Sequence, residues 1–137
     1  MSVASEPVAV RRGPLVVVGA VVAAVVVASV ADAVLALLAL AAGAPDDFRP
    51  LKASSYVFLT AVGVIAGAVG WAVLRKVAKA PQALVRWLVP ALVVVSFVPD
   101  FLLFGDGGAI GVSALLLMHV AVAAVAVFTY RKVMPLS

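Results

Sequence analysis

Residues 15–42 read LVVVGAVVAAVVVASVADAVLALLALAA, and Asp32 is the one charged side chain among them. A hydrocarbon core about 30 Å thick is crossed by about 20 helical residues. This run is longer than that, so at ~1.5 Å per residue it must tilt or protrude. Membrane strands alternate apolar and polar residues over roughly ten positions, whereas this stretch is continuously apolar and reads as helix. Arg11-Arg12 before the run and Ala31-Asp32-Ala33 inside it raise the possibility of a cleaved secretory leader. Cleavage after Ala33 would leave a new amino terminus within apolar sequence, and the run exceeds the ~7–15 residues of a leader core. A retained helix is the reading.

Three further apolar runs follow when the chain is cut at its charged and turn-forming clusters. The spans fall near residues 15–42, 53–74, 84–104 and 109–130, which predicts an all-α membrane protein, a four-transmembrane-helix bundle spanning 15–130 with tails at 1–14 and 131–137. The chain has 137 residues, of which 66% are hydrophobic and 12% charged, with a mean hydropathy of +1.29. Soluble domains carry about 25% charged residues, so a water-soluble globule is excluded. Cysteine is absent, which removes disulfides and thiolate metal sites. A single histidine cannot build a multi-histidine centre. No cofactor, no metal and no catalytic set are expected, and the protein reads as non-enzymatic.

The basic residues are one-sided. Arg11, Arg12, Arg75, Lys76, Lys79, Arg86, Arg131 and Lys132 flank one set of helix ends, and only Arg49 and Lys52 flank the other, with Asp46, Asp47, Asp100 and Asp106. The positive-inside rule then places both termini in the cytoplasm, N-in and C-in, of a multi-pass plasma-membrane protein. The same placement explains the net charge of +4 as a topology signal, so the lipid bilayer is the expected partner and nucleic acid is not. Tyr56, Trp71, Trp87 and Tyr130 lie where amphipathic rings prefer the interface.

Asp32 is the most informative residue. A carboxylate at mid-span costs roughly 2.5–3.5 kcal/mol on insertion scales and is tolerated where it faces protein or water. Counted from the outer ends of their helices, Asp32 before Ala42 and His119 after Ala109 each lie ~15 Å deep. That common level predicts an interior Asp32–His119 site able to hold a proton or a polar ligand group. The competing reading has Asp32 neutral or bonded to Ser29, locking helix packing. Asp100 follows Pro99 towards the outer end of span three; it reads first as an interfacial carboxylate, or else as the lining of an outward crevice with Ser96.

In span two, Gly63 and Gly67 form a GxxxG that Gly70 extends, with Thr60 on the same face. Such a stripe lets another backbone approach closely, within the chain or in a homo-oligomer or larger membrane complex. Pro90 and Pro99 should bend span three.

With Val98-Pro99-Asp100 near the end of its third span and Leu117-Met118-His119-Val120-Ala121-Val122-Ala123-Ala124 in its fourth, the chain resembles an uncharacterised family of small four-span membrane proteins from high-GC Gram-positive bacteria. The resemblance implies the fold and a bacterial plasma-membrane location, and carries over Pro99 and His119; it implies no activity. Small multidrug exporters share the size and an acid in the first span, but their sequence pattern does not match around Asp32, and a one-sided charge bias argues against an antiparallel dimer. The expected role is therefore a polar site for a ligand or partner inside a bundle. A proton-coupled transporter and a structural accessory subunit are the alternatives.

Overall fold

The computed structural model describes residues 13–136. Its elements are α1 (Pro14–Ala41), a short 3-10 turn (Arg49–Leu51), α2 (Ala53–Val77), α3 (Pro81–Leu102) and α4 (Phe104–Val133). All four α-helices are long and apolar enough to cross a membrane, and their outward faces carry large apolar side chains such as Leu37, Phe58, Trp87, Val95 and Phe128. This is the surface that lipid requires. The tail expected at 1–14 lies, over residues 1–12 including Arg11 and Arg12, outside the described residues, as does Ser137.

The ends of the helices follow from local chemistry. At the end of α1 the N–H of Gly43 donates to Leu40 O and that of Ala44 to Ala39 O, the paired bonds of a Schellman motif. Gly43 has φ +111°, which glycine adopts without a Cβ penalty. Pro14 and Pro81 start their helices at positions where the missing N–H loses no bond. Within α4, Gly108 has φ +66° and ψ −175°, so Phe104–Gly107 is a separate turn and the continuous helix begins at Ala109.

The bundle is built around α4. It packs along α1, touches α2, and carries α3 on its other side. The α1 face buried here is Ala24, Ala28, Asp32, Ala36 and Ala39, a ladder of small side chains at helical spacing that lets the neighbouring helix come close. Near the opposite end from the basic residues, Phe48 is buried together with Leu51, Ala36, Ala39, Leu115 and Met118. Its ring fills the space that side chains at Gly107 and Gly111 would occupy. At the basic end, Val64, Trp71, Val85, Ala126, Tyr130 and Met134 form a second core.

That second core corrects two sequence expectations. Trp71 and Tyr130 do not sit at a lipid interface; they are 4% and 3% exposed. Their rings pack at 5.4 Å between centroids, Trp71 Nε1 donates to Met134 O at 2.8 Å, and the Tyr130 hydroxyl donates to Val64 O. Aromatic residues with a polar tip suit an interface, but these tips find carbonyls inside the protein. Trp87, by contrast, stands outside.

The glycine stripe divides as well. A Cβ at Gly67 would fall 2.7 Å from the Tyr130 hydroxyl, while at Gly63 and Gly70 nothing lies within 4 Å. Gly67 therefore accommodates a side chain of α4, and a Cβ at Gly63 or Gly70 would meet no other helix among the described residues. The core-facing residue in this turn is Val64, 1% exposed, a step of ~100° round the helix from Gly63. Pro99 and Pro90 both lie within α3 on its exposed side.

Candidate functional site

Two carboxylates lie inside the bundle, on different sides of α4. Asp32, 1% exposed, accepts a 2.6 Å hydrogen bond from the Thr60 hydroxyl, which ties α1 to α2. Its Oδ1 and the Ser29 hydroxyl, one turn earlier on the same helix face, are buried without a hydrogen-bond partner among the described residues. Ser29 thus does not bond Asp32; Thr60 does. Thr60 is on the second helix at a depth of ~10 Å from Ala53, close to that of Asp32 in the first, so the same count of depth that drew attention to His119 also points to Thr60.

Asp100 is 6% exposed and belongs to the seam between α3 and α4. Its Oδ2 lies 2.8 Å from His119 Nδ1, and the same nitrogen is 2.9 Å from Leu115 O. Two oxygen acceptors this close to one nitrogen require a proton on Nδ1. The ring N–H is directed to the Leu115 carbonyl, and Asp100 Oδ2 lies against the same nitrogen without a hydrogen-bond partner among the described residues. Phe97, one turn before Asp100, meets the imidazole edge-on at 6.2 Å. The His119 side chain is 38% exposed, and its Nε2 makes no hydrogen bond to the described residues. Nε2 is therefore the open position: an acceptor in the neutral ring, a donor in imidazolium.

The pairing also fixes depth. Asp100 is two residues from the end of α3, whereas His119 is ten residues past the start of continuous helix at Ala109. Antiparallel packing through this contact makes α4 run on about two turns, ~12 Å, beyond the end of α3. The segment 103–108 climbs along α4 to cover the difference. Asp100 is consequently level with His119 inside the bundle rather than with the start of α4.

Common depth predicts one Asp32–His119 site, with a hydrogen bond direct or through one water; no direct bond forms between them. His119 is within electrostatic reach of Asp32, but the residues of α4 that face α1 are Leu115 and Met118, and His119 is turned from them towards α3. Ser96 does not join Asp100, because its hydroxyl donates to Val93 O at 2.6 Å within its own helix. Among the described residues no three histidine or acidic side chains converge to hold a metal ion. What the arrangement offers is one imidazole with a free nitrogen and a buried carboxylate against its other side, with a second carboxylate at longer range. Such a set can hold a proton or hydrogen-bond a polar group.

No curated protein and no solved structure matches the chain. A family model does, over residues 4–135. That match includes all four helices together with Asp32, Asp100 and His119, and on that ground the chain belongs to the family of unknown function DUF6069.

Proposed function

We propose that this membrane protein binds a proton or a small polar group at His119 Nε2, with the Leu115 carbonyl holding the ring and buried Asp100 set against it, and that it does so without catalysing a reaction. The observation that carries the proposal is the 2.8 Å contact of His119 Nδ1 with buried Asp100, made in a seam that hydrocarbon would otherwise fill. An ionisable pair at such depth is costly and is kept where it faces protein or water. Asp32 contributes at longer range and holds α1 to α2 through Thr60.

Packing at one end favours binding over transport. Towards the basic end the site is backed by the Trp71, Tyr130 and Val85 core; towards the other, α3 stops short. Transport would need both ends to reach the pair. In this proposal the basic end faces the cytoplasm of a bacterial cell and the site opens outward, since eight of the ten Lys and Arg residues flank that end.

The chain has no cysteine, so single-cysteine variants report access cleanly. In intact cells a membrane-impermeant thiol reagent is expected to label Asp106→Cys, to label His119→Cys more slowly, and to leave Lys79→Cys unmodified. Labelling of Lys79→Cys and not Asp106→Cys would reverse the orientation. A His119→Cys thiol that reacts only after solubilisation would remove the open site.

A further inference from the structure

At the basic end, α3, α4 and the residues after α4 border an open groove of about 930 Å³ lined by Gln82, Arg86, Arg131, Pro135 and Leu136. A second, shallow groove of about 470 Å³ continues along the same two helices, lined by Val89, Val93, Val120, Ala124, Phe128 and, again, Arg131. Arg131 therefore stands at the junction of a cationic recess and an apolar channel. The recess also contains the start of α3, where no side chain caps the helix and the N–H groups of Gln82 and Ala83 have no carbonyl one turn earlier within the helix. Every acidic residue described, Asp32, Asp46, Asp47, Asp100 and Asp106, lies elsewhere.

We propose that these two grooves form one binding site for an anionic phospholipid, its phosphate held between Arg86 and Arg131 at the start of α3 and one acyl chain lying in the Val89–Phe128 channel. The chemistry of the two halves selects this ligand. Guanidinium groups pair with phosphate oxygens in bidentate fashion, and free N–H groups at a helix start favour the same anion. A free phosphate would satisfy the recess but leave the channel unused. A neutral lipid would fill the channel but leave two cations without a counter-charge beyond the zwitterion's own phosphate. The distance along α3 from Arg86 to Val93, seven residues or ~10 Å, matches the step from headgroup into acyl region.

The test uses the full chain in detergent, titrated with dioleoyl phosphatidylglycerol, dioleoyl phosphatidylcholine or inorganic phosphate and read by native mass spectrometry and thermal unfolding. Phosphatidylglycerol is expected to bind one per chain and raise Tm, and phosphatidylcholine to bind at least about five-fold more weakly. Basic residues near a membrane surface each strengthen anionic-lipid binding about five-fold, so Arg86→Gln with Arg131→Gln should weaken phosphatidylglycerol about 25-fold. Arg75→Gln with Lys76→Gln, on the end of α2, should weaken it less. Ala124→Phe, which fills the channel and keeps both arginines, should also lose the lipid, and it serves if the arginine pair fails to fold. Equal loss in the α2 pair would mean a diffuse basic surface and overturn the site. Equal binding of the two lipids would overturn charge selection, and displacement of phosphatidylglycerol by millimolar phosphate with Ala124→Phe unaffected would assign the recess to a free anion.

Discussion

Gly107→Val is expected to loosen the bundle at its acidic end and to give the largest loss of stability of any glycine substitution considered. A Cβ at this position would fall 2.5, 2.6 and 2.8 Å from three atoms of the Phe48 ring. Real Cβ atoms do not approach that closely, and Phe48 is 3% exposed in a core shared with α1 and α4, so the ring cannot swing away without opening that core. Inserting methyl groups into a packed site costs typically ~1–3 kcal/mol; three close ring atoms put Val at or above the top of that range and Gly107→Ala within it. Phe48→Ala alone should cost ~3–5 kcal/mol. Equilibrium unfolding in mixed micelles, followed by tryptophan fluorescence, measures each. In the Phe48→Ala background the penalty of Gly107→Ala should nearly vanish. An unchanged penalty there would place the obstruction somewhere other than the ring.

Gly67→Ala gives the second large effect, and a different partner relieves it. The added Cβ would lie 2.7 Å from the Tyr130 hydroxyl but 3.4 and 3.5 Å from the nearest ring carbons. The clash is therefore with one oxygen, and that oxygen also donates to Val64 O. Moving it breaks a buried interhelical hydrogen bond in addition to straining the ring packed against Trp71. A cost of ~1–3 kcal/mol is expected for the overpacking, with ~0.6 kcal/mol of it the bond, the average for such bonds between membrane helices. Tyr130→Phe removes the obstructing oxygen, so Gly67→Ala should be nearly neutral in that background. Gly63→Ala, four residues away in the same GxxxG, should be neutral in both. Equal sensitivity at Gly63 and Gly67 would mean that the stripe packs as a unit against a neighbouring helix.

The two glycines show where sequence reading reaches its limit. GxxxG identifies a small-residue stripe but not its phase against the neighbours, and a rotation of α2 decides that Gly67 receives Tyr130 while a Cβ at Gly63 would meet no other helix among the described residues. The four long apolar helices were legible, because hydropathy and the Gly and Pro residues that end helices mark them. Asp32 was legible as an inward residue, because a carboxylate in hydrocarbon is costly wherever its partner is. Its partner was not. Counting depth along the first and fourth spans made His119 level with it, yet level residues meet only if they face one another, and His119 faces α3.

The contact of Asp100 with His119 was not legible for a related reason. Depth counted from the end of a span assumes that neighbouring helices begin and end together. The left-handed Gly108 and the climbing segment 103–108 break that assumption, so a residue two positions from a helix end meets one ten positions into the next. Trp71 and Tyr130 were assigned by type to the interface, but their tips satisfy carbonyls at Met134 and Val64. Residue type fixes what a side chain can do, and the face of the helix fixes which of those things it does.

The contact of His119 with Asp100 is the centre of the account, and the protein's one histidine makes it directly measurable. Solid-state NMR on uniformly labelled protein in lipid bilayers reports the distance from His119 Nδ1 to the carboxyl carbons and shows which ring nitrogen carries the proton. The account predicts a protonated Nδ1, a short-range correlation to the Asp100 carboxyl carbon that is lost in Asp100→Leu, and none of comparable strength to Asp32. A strong correlation to Asp32, or a neutral ring protonated only at Nε2, would contradict it.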